Sequence, residues 1–540
     1  MYTKMEIDKI LSSLTVEEMV GQTLCVAVNN KITPEEFEEV AKLNLPGGLF
    51  FTKTSAERIK IFTEIANKYV KIPVIVSSDV ENGPEMAIEG KGYIPHEMAW
   101  GACDDEELIE KAGFEIGKIC RKNGVHWTFS PVVDINYNFR SPATNIRAVS
   151  DCPSHVAKIC KAYVRGVQKN GYMSATCKHF PGEGMDERNA HFVTTILNMS
   201  KEEWLKTYGY VYDEMIKEGT GAIMVGHTAI PSVEDMNVSE IDALPAVLSK
   251  NIITGLLKET LGFTGVVVSD AMSMIGVASR VDDLSGLCVN FLTAGGDMVL
   301  FPDDDDFTHI KNAVISGKLS IERLKDAVLR ILNLKNKVRL FEEQTSVLSE
   351  IKDDDNLKKY SQEIADKSIK VVRDYNKIIP TKLEKGSKIL MLNMIEPNFH
   401  VPPTGKEFSA MKKAFEQRGY TVDSIDNAKH KEVKEIMNDY DMVLLNCKMS
   451  SVDYHGGSLR VGWNNIMVMW RAYVLQHKRF IFTSFGDPYK IFDFPYLKEY
   501  INAFSNTDES QVAVVKVILG EIDATAKNPV EFKPYFDREV

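Results

Sequence analysis

The chain of 540 residues has no apolar run long enough to span a bilayer, which excludes a helical membrane protein. Its first residues, MYTKMEIDKILSSLTVEEMVGQ, lack the basic end, apolar core and small-residue cleavage site of a secretion signal. A cytoplasmic protein is expected on that ground. Positive charge is in deficit: 64 Lys and Arg stand against 76 Asp and Glu, a net of −12. That balance argues against nucleic-acid and anionic-membrane partners. Cysteine is sparse, with eight residues and no C-x-x-C pair. Without a leader they read as buried free thiols rather than a disulfide framework. Three motifs are also missing: the phosphate-binding G-x-x-x-x-G-K-[ST], a G-x-G-x-x-G after a strand, and a G-x-S-x-G elbow. NTPase, dinucleotide and serine-hydrolase readings therefore lose their support.

What is present is a globular composition, 44% apolar and 26% charged, in a chain long enough for two or three domains. The first 340 or so residues alternate short apolar runs with helical patterns. Eight runs read as strands: 22–28, 47–51, 73–78, 126–131, 172–178, 221–227, 265–270 and 297–301. Most are continuously apolar, as parallel strands buried on both faces must be. Helical stretches at 106–121, 154–169, 201–218 and 246–260 lie between them. The pattern predicts an α/β fold, a (β/α)8 TIM-type barrel over 1–345, with a doubly wound sheet as the alternative. A helical linker is expected over 346–385, with one long helix at 356–374. Residues 386–540 read as a smaller α/β sandwich, an open parallel sheet. Its strands are KILMLNM, YTVDSI, DMVLLNC and RFIFTSF, separated by helical patterns at 406–418, 428–438, 464–476 and 509–520.

Barrel enzymes build their sites at the C-terminal ends of strands. Four such ends carry polar clusters: VSSDVENG with Asp79 and Glu81; CKHFPGEGMDERNAH; MVGH with His227; and VVVSDAMSM with Asp270. A carboxylate at the mouth of a strand suits attack on an anomeric carbon and stabilisation of an oxocarbenium-like transition state. Asp270 stands in that position, although Ser-Asp before AMSMIG is also good helix-capping chemistry. Asp79 reads either as an acceptor for sugar hydroxyls or as an Asx-turn residue before Asn82-Gly83. In the second cluster, Lys178 and His179 are adjacent and point to opposite faces in a regular strand. His191 can exchange a proton near neutral pH, or stand idle on a surface loop. A metal reading of His179, Glu183, Asp186 and His191 finds no supporting spacing, so no metal and no cofactor is expected. The acidic run Asp303–Asp306 reads as a solvated turn.

Taken together, these segments resemble glycoside hydrolase family 3, in its β-N-acetylglucosaminidase (β-hexosaminidase) subgroup. K-H-F-P-G-E-G-M-D-E-R-N-A-H (178–191) resembles the subgroup's K-H-F-P-G-x-G loop, which ends in D-[small or polar]-H. LGFTGVVVSDAMSM (261–274) resembles the nucleophile strand, FSPVVDIN (129–136) the F-[AS]-P-V-x-D strand, and SDVENG (78–83) the D-x-E-G-G turn. The resemblance implies Asp270 as nucleophile and His191 as general acid/base, with Lys178, His179, Asp79 and Arg147 binding the sugar. Glu183, Asn189 and His227 are expected to support them. It implies double displacement through a glycosyl-enzyme with retention of configuration.

One departure bears on chemistry. The subgroup's Asp of the Asp-x-His dyad is Asn189 here. A neutral amide accepts a hydrogen bond but supplies no charge, so a weaker base is expected unless Asp186 or Glu187 substitutes. The expected activity is an exo-β-N-acetylglucosaminidase, in an intracellular role such as peptidoglycan recycling. The alternatives are a β-N-acetylglucosaminide or β-glucoside phosphorylase and an inactive sugar-binding relative. The expected partner is the carbohydrate, and the C-terminal domain is a candidate for packing on the barrel or forming a homodimer.

Overall fold

A computed structural model of the chain describes residues 1–234, 244–352, 354–395, 406–449, 460–462 and 465–537. Two compact units emerge. Unit 1 comprises Met1–Tyr93, Ile109–Ile135 and Val156–Leu357; unit 2 comprises Ile94–Leu108, Asn136–His155 and Lys358–Val540. No helix among the described residues is long and apolar enough to cross a membrane.

Unit 1 contains eight parallel strands in sequence order around a ring. They are β1 (Leu24–Val28), β2 (Gly48–Phe51), β3 (Ile75–Ser78), β4 (Trp127–Thr128), β5 (Thr176–Phe180), β6 (Ala222–Val225), β7 (Val266–Ser269) and β8 (Val299–Leu300). β4-β3-β2-β1-β8 form one sheet and β5-β6-β7 another. Single parallel bridges, Trp127 to Ser174 and Val268 to Met298, join the two sheets at both seams. This is the TIM-type barrel the sequence predicts, and each of the eight runs overlaps one strand, with β5 continuing past the expected 178 to Phe180. β2, β3, β5, β6 and β7 are buried at every residue, which is why β2, β6 and most of β7 read as apolar runs, whereas β5 buries Lys178 and His179. Phe50, Trp127, Phe129, Met224 and Val268 meet in the interior.

The helices begin where their caps dictate. Thr33, Pro34 and Glu36 form a capping box with proline at the helix start, and Ser200 with Glu203 forms another. The expected helix at 201–218 is two helices, Lys201–Lys206 and Tyr208–Glu218, because Thr207 leaves helical geometry.

Unit 2 holds a six-stranded sheet in the order β11-β10-β12-β13-β14-β9. Its strands are β9 (Lys370–Asp374), β10 (Lys388–Ile395), β11 (Thr421–Asp426), β12 (Met442–Lys448), β13 (Phe480–Ser484) and β14 (Glu499–Asn502). All pairs are parallel except β14 with β9. Alternate residues divide between two cores: Leu390, Leu392 and Met394 face one, and Ile389, Met391 and Ile395 the other. Met98, Ala99, Ala102 and Ile146, from the two early segments, complete the first of these cores.

Two expectations need correction. The expected helix 356–374 ends at Ser368, and Lys370–Asp374 is a strand at the sheet edge. Val371 and Val372 favour that conformation, and β14 supplies its backbone partners. The expected helix 464–476 is a run of 3₁₀ turns over Ile466–Gln476, broken at Trp470, Arg471 and Ala472; residue 464 lies outside the described residues.

Candidate active site

The C-terminal ends of β3, β5, β6 and β7 carry the polar groups. Lys178, on β5, is the first hub. Its ammonium is buried and donates to Asp79 Oδ1 at 2.7 Å. It also contacts Glu81 Oε1 at 2.7 Å. A buried cation set between two carboxylates is compensated in place, which fixes all three side chains. Asp79 remains 38% exposed, so its carboxylate is open to a ligand.

His179 is the second hub. Register along β5 and β6 runs Thr176–Ala222 and Cys177–Ile223, then jumps to Phe180–Val225. The extra residue is a bulge, and it removes the strict alternation that would send Lys178 and His179 to opposite faces. The ring Nδ1 donates to Asp134 Oδ2 at 2.7 Å. A carboxylate can only accept, so that bond sets the tautomer. Asp134 Oδ1 accepts the Glu183 N–H at 2.7 Å and the His179 N–H at 3.2 Å. Asp134, fully buried, thus ties the strand end to the start of the loop. Asp134, His179 and Glu183 each offer a ligand atom within 4.8 Å of the others, the one such group among the described residues. Asp134 already spends its oxygens on N–H donors, an arrangement that suits positioning better than metal binding.

Asp270 follows β7 and is partly exposed. Its N–H donates to Val225 O at 2.9 Å, and its Oδ1 accepts from Ala271 N–H at 2.7 Å. Burial alone would raise its pKa. The influence of His179 and His227, the Ala271 N–H and the Lys178 ammonium outweighs burial and holds the carboxyl below the ordinary aspartate value. His227, at the end of β6, is fully buried and donates from Nε2 to Ala271 O at 3.0 Å. Burial pushes its pKa down, and the nearby Asp270 carboxylate opposes that fall. His227 therefore pins residue 271, whose N–H in turn holds the carboxylate. Gly226 leaves room beside it: a methyl group there would lie 3.1 Å from His179 Cβ and 3.7 Å from Glu183 Oε1.

The loop after β5 leaves over Gly182, whose φ of +130° and close approach to the Tyr208 ring both require glycine. Tyr208 donates to Glu183 O at 2.6 Å and Trp204 to Pro181 O at 2.8 Å. Asp186 closes the next stretch on itself, accepting from Arg188 N at 2.8 Å and Ile196 N at 2.9 Å. His191 lies on that exposed stretch. Asn189 Oδ1 receives its backbone N–H at 3.0 Å and its ring Nδ1 at 2.8 Å. The amide thus orients the ring, while the Asp186 carboxylate is engaged within the loop.

Within unit 1 these contacts form three sets, Asp79 with Lys178, His179 with Glu183 through Asp134, and His227 with Asp270 through residue 271. His179 and Lys178 also act electrostatically on Asp270. Arg147 belongs to unit 2, where its guanidinium donates to Ala143 O at 2.7 Å. Sequence reasoning gave Asp134 no role at the site and offered Glu81 only as a carboxylate of the turn after β3. Asp134 ends the F-S-P-V-V-D motif, which was the available signal.

Residues 15–334 match the family model described as the glycosyl hydrolase family 3 N-terminal domain. The chain is similar to a β-N-acetylglucosaminidase/β-glucosidase of Cellulomonas fimi, 28% identical over 549 residues, covering 96% of this chain and 94% of that one. Among solved structures it resembles a β-glucoside phosphorylase, BglX, bound to 2FGlc, with a TM-score of 0.87 and 27% identity across 98% and 97% of the two chains. It also resembles a family 3 β-N-acetylglucosaminidase from Paenibacillus sp. str. FPU-7, with a TM-score of 0.83 and 25% identity across 96% and 99%. With more than half of its length matched by the family model, the chain belongs to glycosyl hydrolase family 3.

Proposed function

We propose that the protein is a retaining exo-β-N-acetylglucosaminidase that releases terminal β-linked N-acetylhexosamine. The observation that carries this reading is the Asp270 carboxylate, ionised and held by His227 through residue 271 at the mouth of β7. Asp270 attacks the anomeric carbon and forms the glycosyl-enzyme. His191 protonates the departing oxygen. It then removes the proton from the incoming water, and Asp270 leaves as the second displacement restores the configuration. Asn189 accepts from Nδ1, so Nε2 is the nitrogen that exchanges the proton. Lys178, Asp79 and His179 grip the hydroxyls of the sugar. The hexosaminidase names of the relatives support the glycone. A cytoplasmic role in recycling amino-sugar oligosaccharides accords with this reading.

Asn189 favours a second reading. A neutral imidazole beside a neutral amide does not repel a phosphate dianion, as a carboxylate would. Phosphate can then replace water as acceptor, and the structural likeness to a β-glucoside phosphorylase is in keeping with that.

Both readings are tested with an aryl β-N-acetylglucosaminide and an aryl β-glucoside, each with and without phosphate. Free N-acetylglucosamine independent of phosphate is the expected product. Sugar 1-phosphate formed only with phosphate would transfer the assignment to the phosphorylase. Absence of turnover on both substrates would remove the glycosidase reading.

A further inference from the structure

The segment that follows the nucleophile and the loop that carries His191 lie against each other at one glycine. A Cβ built on Gly276 would lie 2.3 Å from Ala190 O and 2.9 Å from Val193 O, the carbonyls on either side of His191. Real side chains do not tolerate such distances to backbone, so any residue larger than glycine displaces the loop. Its φ is not positive, so close approach and not backbone conformation selects glycine here. The contact is reinforced by a hydrogen bond from Thr194 Oγ1 to Gly276 O at 2.7 Å. Gly276 opens the short helix Ile275–Ala278, six residues beyond Asp270. The other end of the loop is fixed separately. Ile196 bridges Ala229, and Leu197 N–H donates to Ala229 O at 2.9 Å, on the extension of β6.

Resting on the roles proposed for Asp270 and His191, we propose that Gly276 is a positioning residue of the reaction. Its bare Cα seats the acid/base loop on the nucleophile's own segment, with Thr194 as the latch. The two reacting groups are thereby held in register by backbone contact. A displacement of about 1 Å in such a group is enough to cost on the order of 10²-fold.

The test compares Gly276→Ala, Thr194→Val and Thr194→Ser with His191→Ala. The readout is kcat/KM on two β-glycosides of the same sugar, because it reports glycosylation alone. One substrate carries 2,4-dinitrophenolate, which departs without a proton; the other carries an alkyl alcohol, which needs the acid. Gly276→Ala is expected to lose on the order of 10²-fold on the alkyl glycoside and less than about 3-fold on the dinitrophenyl one. Thr194→Val should show the same selectivity to a smaller degree, and Thr194→Ser should restore the alkyl rate. Equal losses on both substrates, or no loss from a folded Gly276→Ala, would overturn the inference. If Gly276→Ala does not fold, the Thr194 pair decides: no selective loss in Thr194→Val overturns it. His191→Ala separates the two claims, since an unchanged leaving-group dependence in that variant would sink the acid/base assignment itself.

Discussion

Asp270 shows how a carboxylate in a largely enclosed setting is kept ionised by its neighbours. Because its pKa lies below the ordinary aspartate value, its ionisation is complete through the neutral range. The Asp270 limb of the kcat/KM profile is expected below about pH 4, and a limb above that belongs to another group. Asp270→Asn keeps the size and loses the charge; it should lower kcat by on the order of 10⁴-fold with the fold intact by circular dichroism. The orienting partner of His191 gives a second prediction. Asn189→Asp places a carboxylate on Nδ1 and favours the imidazolium. It should move the neutral limb of the kcat profile to higher pH, and no movement would show that residue 189 does not govern the acid/base. At this scale the sequence singled out Asp270, Lys178, His179 and His191 as candidates through motif and strand position. It did not reveal Asp134, six residues beyond the two-residue strand β4. Only its contacts to His179 and Glu183 give it a role.

Among the elements, strands buried on both faces were legible because burial forces continuous apolar runs. β9 was not. It is an edge strand with three of five residues partly exposed, adjoining a helix, so its short pattern merges with the helix before it. The run Ile466–Gln476 is apolar enough to suggest a helix, but three non-helical residues interrupt it. Helix contacts were likewise hidden. The helices Glu106–Lys122 and Pro153–Gln168 approach through glycines, and a Cβ at Gly166 would lie 2.2 Å from Glu110 O. Gly166→Ala must push these backbones apart and should destabilise unit 1 by about 1–3 kcal/mol in denaturant titration. An unchanged midpoint would mean the pair can slide without loss.

For the molecule as a whole, stability is tied to pH through buried histidines. His126 accepts the Val76 N–H on Nδ1 at 3.2 Å, and burial, with Arg121 and Lys335 nearby, pushes its pKa far down. His227 is pushed down too. Both bind a proton more readily when unfolded, so their contribution is present above the unfolded value of about 6.5 and is lost as pH falls below it. The melting temperature should therefore drop between pH 7.5 and 5.5, and His126→Gln should flatten that slope. A slope unchanged by the substitution would place its origin elsewhere. In unit 2 the Asp487–Lys490 pair is fully buried at 2.7 Å. Burial raises the Asp487 carboxyl and Lys490 opposes that rise. Lys490→Met strands the carboxylate and should cost about 3–5 kcal/mol, read as a lower unfolding midpoint.

Unit 2 draws its core from segments separated by some 200 residues of chain, and this sets a schedule for synthesis. At about 5–20 residues per second, Met98 and Ala99 leave the ribosome roughly 10–50 s before residue 358 follows. Through that interval an apolar helix, Glu97–Cys103, exists without the sheet that covers it. The early segments of unit 2 are therefore born with an adhesive surface, and a transcript cut short after residue 357 would leave them permanently so. Nascent chains of this protein should be clients of whichever chaperone meets them before the last third is made.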